Sequence, residues 1–65
     1  MKRFWLSSNK MTVGVECDDK LIIRDGAPII FSFRGQPLSN LENWMKTQGG
    51  FRKELIFDGD IYNEY

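Results

Sequence analysis

The chain has 65 residues, of which 42% are hydrophobic and 14% aromatic, and its formal net charge is zero. The zero net charge argues against a polybasic nucleic-acid or membrane binder. The chain contains one cysteine, Cys17, and no histidine, which excludes an intrachain disulfide and the usual zinc sites. We expect one domain, residues 1–65, that buries only about 60% of the surface its unfolded chain exposes.

The first part of the chain predicts three strands. Residues 4–7 are a candidate short strand, and residues 11–17 alternate apolar with polar or small side chains, which is typical of a half-buried strand. Asp18 and Asp19 favour a turn. Residues 20–24 then return as a third strand, so this part of the chain predicts a tight hairpin.

A further strand and one helix follow. Residues 29–34 alternate again between the two faces and predict a strand. In residues 37–48 the apolar side chains have the spacing of a helix, whose apolar face holds Leu38, Leu41, Trp44 and Met45. Two helix starts are open. Pro37 suits the first helical position, and Ser39 with Glu42 could instead form a capping box.

Residues 51–57 predict a last strand, and an acidic tail over residues 58–65 follows it. The expected fold is α+β: an antiparallel or mixed sheet of three to five strands with the helix packed on one face. The last strand could pair in either direction. The predicted core residues are Val13, Val15, Ile22, Phe31, Phe33, Leu38, Leu41, Trp44, Met45, Leu55 and Phe57.

The sequence lacks a complete set of catalytic groups. Cys17 lies on the apolar side of its strand, where a buried thiol is unreactive. Asp58, Asp60 and Glu64 match part of a calcium-binding loop, but such a loop needs ligands across twelve residues, so a solvated tail is the simpler interpretation. We therefore expect no enzymatic activity, no cofactor and no metal. The lone cysteine favours a reducing, cytoplasmic location, and no stretch is apolar enough to span a membrane.

Two binding hypotheses remain open. The aromatic side chains are numerous for so small a core, which favours a non-enzymatic protein-interaction module whose partner is another protein or a second copy in a homodimer. The alternative is a small nucleic-acid-binding domain that uses a basic and aromatic sheet face. The candidate partner-binding residues are Arg3, Trp5, Lys20, Arg24, Asn40, Asn43 and Tyr62.

The arrangement of these residues would separate the two hypotheses. If Arg3, Trp5, Lys20 and Arg24 share one exposed face, nucleic acid is favoured. If the face is mixed in charge and an apolar patch holds Tyr62, Trp5 or Phe51, a protein partner is favoured.

A pattern of turn and core residues extends along nearly the whole chain: Met11-Thr12-Val13, Pro28-Ile29-Ile30, Phe33, Gly35-Gln36-Pro37-Leu38, Leu41, Trp44-Met45 and Gln48-Gly49-Gly50. In this pattern the chain resembles short uncharacterised prokaryotic proteins of similar length. In size it is also similar to phage or mobile-element accessory proteins. The resemblance implies a fold and no activity.

Overall fold

A computed structural model of the protein describes residues 1–59. Its elements, in chain order, are β1 (Lys2–Ser7), β2 (Thr12–Cys17), β3 (Ile23–Gly26), a 3₁₀ helix (Pro28–Phe33), α1 (Leu38–Lys46) and β4 (Arg52–Asp58). The four strands form one antiparallel sheet in the order β3-β2-β1-β4. The predicted α+β class is confirmed, and the last strand pairs antiparallel with β1.

The core lies between one face of the sheet and the two helical segments. Alternate residues of the first three strands are buried, because successive side chains of a strand point to opposite faces. They meet the buried side chains of the helical segments, and the core set is Phe4, Leu6, Val13, Val15, Cys17, Ile23, Ile30, Leu38, Leu41 and Met45. The predicted core is therefore confirmed for the β2 valines and for three of the four apolar positions on α1.

The predicted strand over residues 29–34 is wrong, because this segment is the 3₁₀ helix. Pro28 occupies its first turn, and the Ile30 N–H donates to the Ala27 carbonyl at 3.0 Å. Only Ile30 is buried within the segment, whereas Phe31 is 46% exposed and Phe33 packs partly against the core. Phe31 is thus not the core residue that the alternation predicted.

The hairpin between β2 and β3 exists, but its connection is longer than the predicted tight turn. One carboxylate oxygen of Asp18 accepts the N–H groups of Lys20 and Ile22, each at 2.9 Å. Leu21 adopts a positive φ of 61°. This local hydrogen bonding delays the strand, so β3 begins at Ile23, which fills the core position assigned to Ile22.

The Pro37 start is one residue early, and the start at the Ser39 capping box is wrong. α1 begins at Leu38, with Pro37 as the residue before it and no side-chain hydrogen bond at the cap, so the Ser39 and Glu42 capping box does not form. The first helical residue is instead tied to the connection between β2 and β3, since the Leu38 N–H donates to the Leu21 carbonyl at 2.8 Å.

Strand β4 lies at the sheet edge and has no buried residue. The predicted core positions Leu55 and Phe57 are exposed, with Leu55 at 51%. The core side chains of the sheet come from the other three strands, while Lys53 of β4 reaches Glu42 of α1 at 2.8 Å. Trp44, also predicted as core, is exposed.

Candidate functional site

The sheet face opposite α1 carries no covering element within residues 1–59. Strand β1 buries Phe4 and Leu6 toward the helix and therefore directs Arg3, Trp5 and Ser7 to the other face. Residues directly opposite one another on antiparallel strands share a face. The pairing then defines the open face as Arg3, Trp5, Ser7, Thr12, Gly14, Glu16, Asp25, Arg52, Glu54, Ile56 and Phe57.

Trp5 occupies the middle of the open face and pairs with Gly14 on β2. Three atoms of its six-membered ring, Cζ3, Cε3 and Cη2, lie 3.5, 3.8 and 3.8 Å from the position that a Cβ on Gly14 would take. The ring therefore packs across the glycine, as aromatic side chains do over glycines in sheets. Trp5 remains 44% exposed, so this large apolar side chain is held in place and presented to solvent.

Two shallow depressions flank Trp5. The first has a volume of about 400 Å³, and its lining includes Gly14, Glu16 and Asp25. The second, of about 380 Å³, lies toward β4, and its lining includes Ser7, Arg52 and Glu54. We call them the β3-side and the β4-side depression.

A β-bulge extends the apolar surface beside Trp5. Arg3 pairs with Phe57, but the next residue of β1 pairs with Leu55, so Ile56 is the extra residue of β4. A bulge changes the direction of the side chains beside it. Ile56 lines the β3-side depression with Trp5, and both Ile56 and Phe57 are exposed.

Arg3 links the apolar and the acidic parts of the open face. Its guanidinium lies 5.5 Å from the centre of the Phe57 ring, a cation–π distance. Its Nε lies 2.7 Å from Oε2 of Glu16, the residue opposite on β2. The Arg3 charge is therefore directed at a carboxylate and an aromatic ring of the protein itself.

The open face is mixed in charge, with two arginines and three carboxylates. Asp25 is the carboxylate nearest the β3 edge, and its Oδ1 accepts the N–H of Gly26 at 2.8 Å. No cation of the described residues pairs with Asp25. A surface that binds the phosphate groups of a nucleic acid is instead dominated by lysine and arginine.

Of the predicted partner-binding residues, the structure brings together Arg3 and Trp5. Arg24 binds Asp18 through Nε at 3.1 Å and through one terminal nitrogen at 2.8 Å. Lys20 is exposed in the turn before β3 and, like Arg24, is not part of either depression.

The remaining predicted residues lie elsewhere. Asn40 and Asn43 are exposed on α1, on the other side of the sheet, and the Asn40 side-chain amide donates to Gln36 at 3.1 Å. Tyr62 lies outside the described residues, as do Asp60 and Glu64 of the calcium-loop pattern.

Sequence reasoning missed Glu16, Asp25, Ile56 and Phe57 as parts of this surface. The strand alternation around Gly14 contained a usable signal, because it places Glu16 on the same face as the glycine. Ile56 and Phe57 had no such signal, since simple alternation puts neighbouring residues on opposite faces.

A second exposed aromatic group lies on the helical side of the molecule. Trp44 packs against Phe33, with ring centres 5.5 Å apart, and the guanidinium of Arg34 lies 5.5 Å from the centre of the Phe31 ring. Phe31 is as exposed as Trp5, which makes it a matched comparison for any test of the open face.

Cys17 is fully buried, and burial raises the pKa of its thiol to about 11, with a further contribution from the nearby Asp18 and Glu42 carboxylates. Over residues 1–59, no group of three or more His, Cys, Asp or Glu side chains is placed to hold a metal ion. None of the described helices is both long and apolar enough to cross a membrane.

Comparisons of the chain with family models, with curated proteins and with solved structures find no match.

Proposed function

We propose that this protein is a non-enzymatic protein-interaction module and that its partner binds the open face. One observation carries the proposal: the exposed apolar side chains of Trp5 and Ile56 line one depression, and Phe57 is exposed next to Ile56 in β4, on a sheet face that no described element covers. Single exposed apolar residues are ordinary, but a contiguous patch rimmed by polar residues is typical of a binding surface.

The energetics of the cluster support a protein partner. Fully burying a large apolar side chain contributes roughly 1.5–3 kcal/mol, so three side chains that are about half exposed still offer on the order of 1 kcal/mol each. Trp5 already packs on Gly14, so ordering it at an interface costs little conformational entropy. Tryptophan is also among the residues enriched at interface hot spots.

The nucleic-acid hypothesis has weaker support. The open face has more carboxylates than arginines, and Arg3 faces Glu16. Lys20 and Arg24 are not part of either depression. Because phosphate binding depends on unpaired cations, the mixed charge favours a protein.

The partner is either another protein or a second copy of the chain, and we propose a cytoplasmic setting, which suits the single buried thiol. The resemblance to short prokaryotic proteins, and in size to phage or mobile-element accessory proteins, is compatible with a small adaptor of this kind. Light scattering of the purified protein over a range of concentrations separates the two partners. A dimer that the Trp5→Ala variant cannot form would identify the second copy.

The test is an affinity pull-down of the tagged protein from native cell lysate, with and without nuclease. Wild type and the matched control Phe31→Ala are expected to capture the same proteins in both conditions. Trp5→Ala should capture at least about tenfold less, as expected when a hot-spot residue is removed. Capture that disappears with nuclease, or that Trp5→Ala leaves unchanged, would contradict the proposal.

A further inference from the structure

The geometry points to a basic side chain, arginine or lysine, of the protein partner as the occupant of the β3-side depression, between Trp5 and the carboxylates of Glu16 and Asp25. This inference rests on the proposed function and names the chemistry that the open face recognises. It follows from the charges that line the depression, from the ring beside them and from the position of Arg3.

The carboxylates offer oxygens that the described residues do not use with a cation. Asp25 accepts only the N–H of Gly26, through Oδ1, and its Oδ2 has no described partner. Glu16 faces Arg3 through Oε2, and no described hydrogen bond uses its Oε1. Hydrogen bonds between cations and carboxylates are about twice as strong as neutral ones, so these oxygens favour a guanidinium or ammonium group.

Trp5 lines the β3-side depression on the side away from Asp25. Its ring lies across Gly14 on the central strand β2, and the strand beyond β2 carries Asp25, opposite Glu16. Asp25 therefore lies two strands across the sheet from Trp5 and two residues further along it, and the indole ring extends over β2 into this space. A long basic side chain that enters the depression can therefore pack its apolar stem beside Trp5 while its charged end reaches the carboxylates.

Arg3 does not oppose this occupant strongly. Its guanidinium contacts Glu16 and lies over Phe57 of β4, the strand on the other side of β1 from β2 and β3. The acidic end of the depression, at Asp25, lies toward the opposite edge of the sheet. An anionic side chain entering there would meet the Asp25 carboxylate, because Arg3, which also lines the depression, is already paired with Glu16.

Three tripeptide amides provide the probes: acetyl-Leu-Arg-Leu, its citrulline counterpart and its glutamate counterpart. Citrulline keeps nearly the shape of arginine but is neutral, so the comparison isolates the charge. The readout is the chemical shift of the Trp5 indole N–H and the Gly14 amide in the ¹⁵N-labelled full chain. We expect saturable shifts at both positions with the arginine peptide. The dissociation constant of the citrulline peptide should be at least about tenfold larger, because citrulline cannot form charge-assisted hydrogen bonds. The glutamate peptide should bind more weakly still.

The matched variants are Asp25→Asn and Asp19→Asn, which change the net charge equally. In Asp25→Asn the side-chain carbonyl oxygen can still accept the Gly26 N–H, so the fold is preserved, whereas Asp19 is an exposed turn residue with its side chain 93% accessible. Asp25→Asn should reduce the preference for arginine over citrulline to a few-fold, and Asp19→Asn should leave it unchanged.

Equal binding of the arginine and citrulline peptides, equal effects of the two variants, or no saturable shifts would overturn the inference. If capture in the pull-down still depends on Trp5 in that case, the open face binds proteins but does not recognise a basic side chain in the depression. If Trp5→Ala also leaves the pull-down unchanged, the proposed function has failed as well.

Discussion

The indole ring of Trp5 packs across Gly14 on the neighbouring strand, with Cζ3 3.5 Å from the position of a Cβ on that glycine. The contact holds a large side chain on the exposed side of the sheet. Its sequence neighbour Leu6 points the other way and is fully buried. Two adjacent apolar residues therefore have different roles, Leu6 in the core and Trp5 on the surface.

The first prediction compares Trp5→Ala with Leu6→Ala. Leu6→Ala removes a fully buried side chain and should lower the free energy of unfolding by about 2–5 kcal/mol. Trp5→Ala removes only a surface contact and should cost about 1 kcal/mol. Urea unfolding monitored by circular dichroism measures both. A loss for Trp5→Ala as large as that for Leu6→Ala would mean that Trp5 is a core residue.

The second prediction concerns Leu21, whose φ of 61° lies in the left-handed region. That conformation costs a residue with a Cβ roughly 1–2 kcal/mol, and glycine adopts it without this cost. Leu21→Gly and Leu21→Ala both remove the half-exposed side chain, so the difference between their free energies of unfolding isolates the effect of the backbone conformation. Leu21→Gly should be the more stable variant by about 1 kcal/mol in thermal or urea unfolding. The opposite order, which is usual elsewhere in a protein, would contradict the observed backbone.

The third prediction concerns the fit of Gly26 against the 3₁₀ helix. A Cβ on Gly26 would lie 2.6 Å from Cδ1 of Ile30 and 2.9 Å from the Gly14 carbonyl oxygen. Gly26→Ala should therefore cost about 1–3 kcal/mol of unfolding free energy, the usual cost of overpacking. Ile30→Val removes the clashing methyl group, so the same substitution should cost less in that background. Additive effects in the double-mutant cycle would show that the two residues are not in contact.

The fourth prediction is a pH dependence at Asp18. The hydrogen bond from the Ile22 N–H, followed by those from Arg24 and the Lys20 N–H, holds the pKa of this carboxyl below its ordinary value of 3.8. A lowered pKa in the folded state stabilises the protein at pH values above 3.8, and this stabilisation is lost as the pH falls through the folded-state pKa.

Asp18→Asn should therefore be less stable than wild type at neutral pH, and the difference should shrink below pH 3.8. Urea midpoints of the two proteins across that range give the comparison. Asp19→Asn, at the neighbouring turn position, is the control for a general effect of lost negative charge. A difference between Asp18→Asn and wild type that stays constant with pH would show that the carboxylate is not stabilised by its partners.

The predictable parts of the fold are those in which local pattern and tertiary packing agree. Residues 11–17 alternate cleanly and form β2, and the apolar stripe of α1 buries three of its members in the core. Residues 29–34 have the same alternation, yet they form a 3₁₀ helix that leads from β3 to α1. A short apolar run takes the structure that its neighbours allow, and periodicity alone does not reveal those neighbours.

The candidate site was predictable to a similar extent. Arg3 and Trp5 stood out as a basic and aromatic pair, and they do share the open face. Ile56 joins them through a bulge in β4, which depends on pairing between the two ends of the chain. Such a long-range register is not encoded in any local stretch.

The most direct test of the open face is site-specific photocrosslinking in native cells. The photoreactive amino acid benzoylphenylalanine replaces Ile56 in one variant and Phe31 in the other, two apolar positions that are 48% and 46% exposed on opposite sides of the molecule, and Trp5 is left in place in both. Adducts of defined mass from position 56, with none from position 31, are the predicted result. Adducts from position 31 alone would contradict the account and assign binding to the helical side.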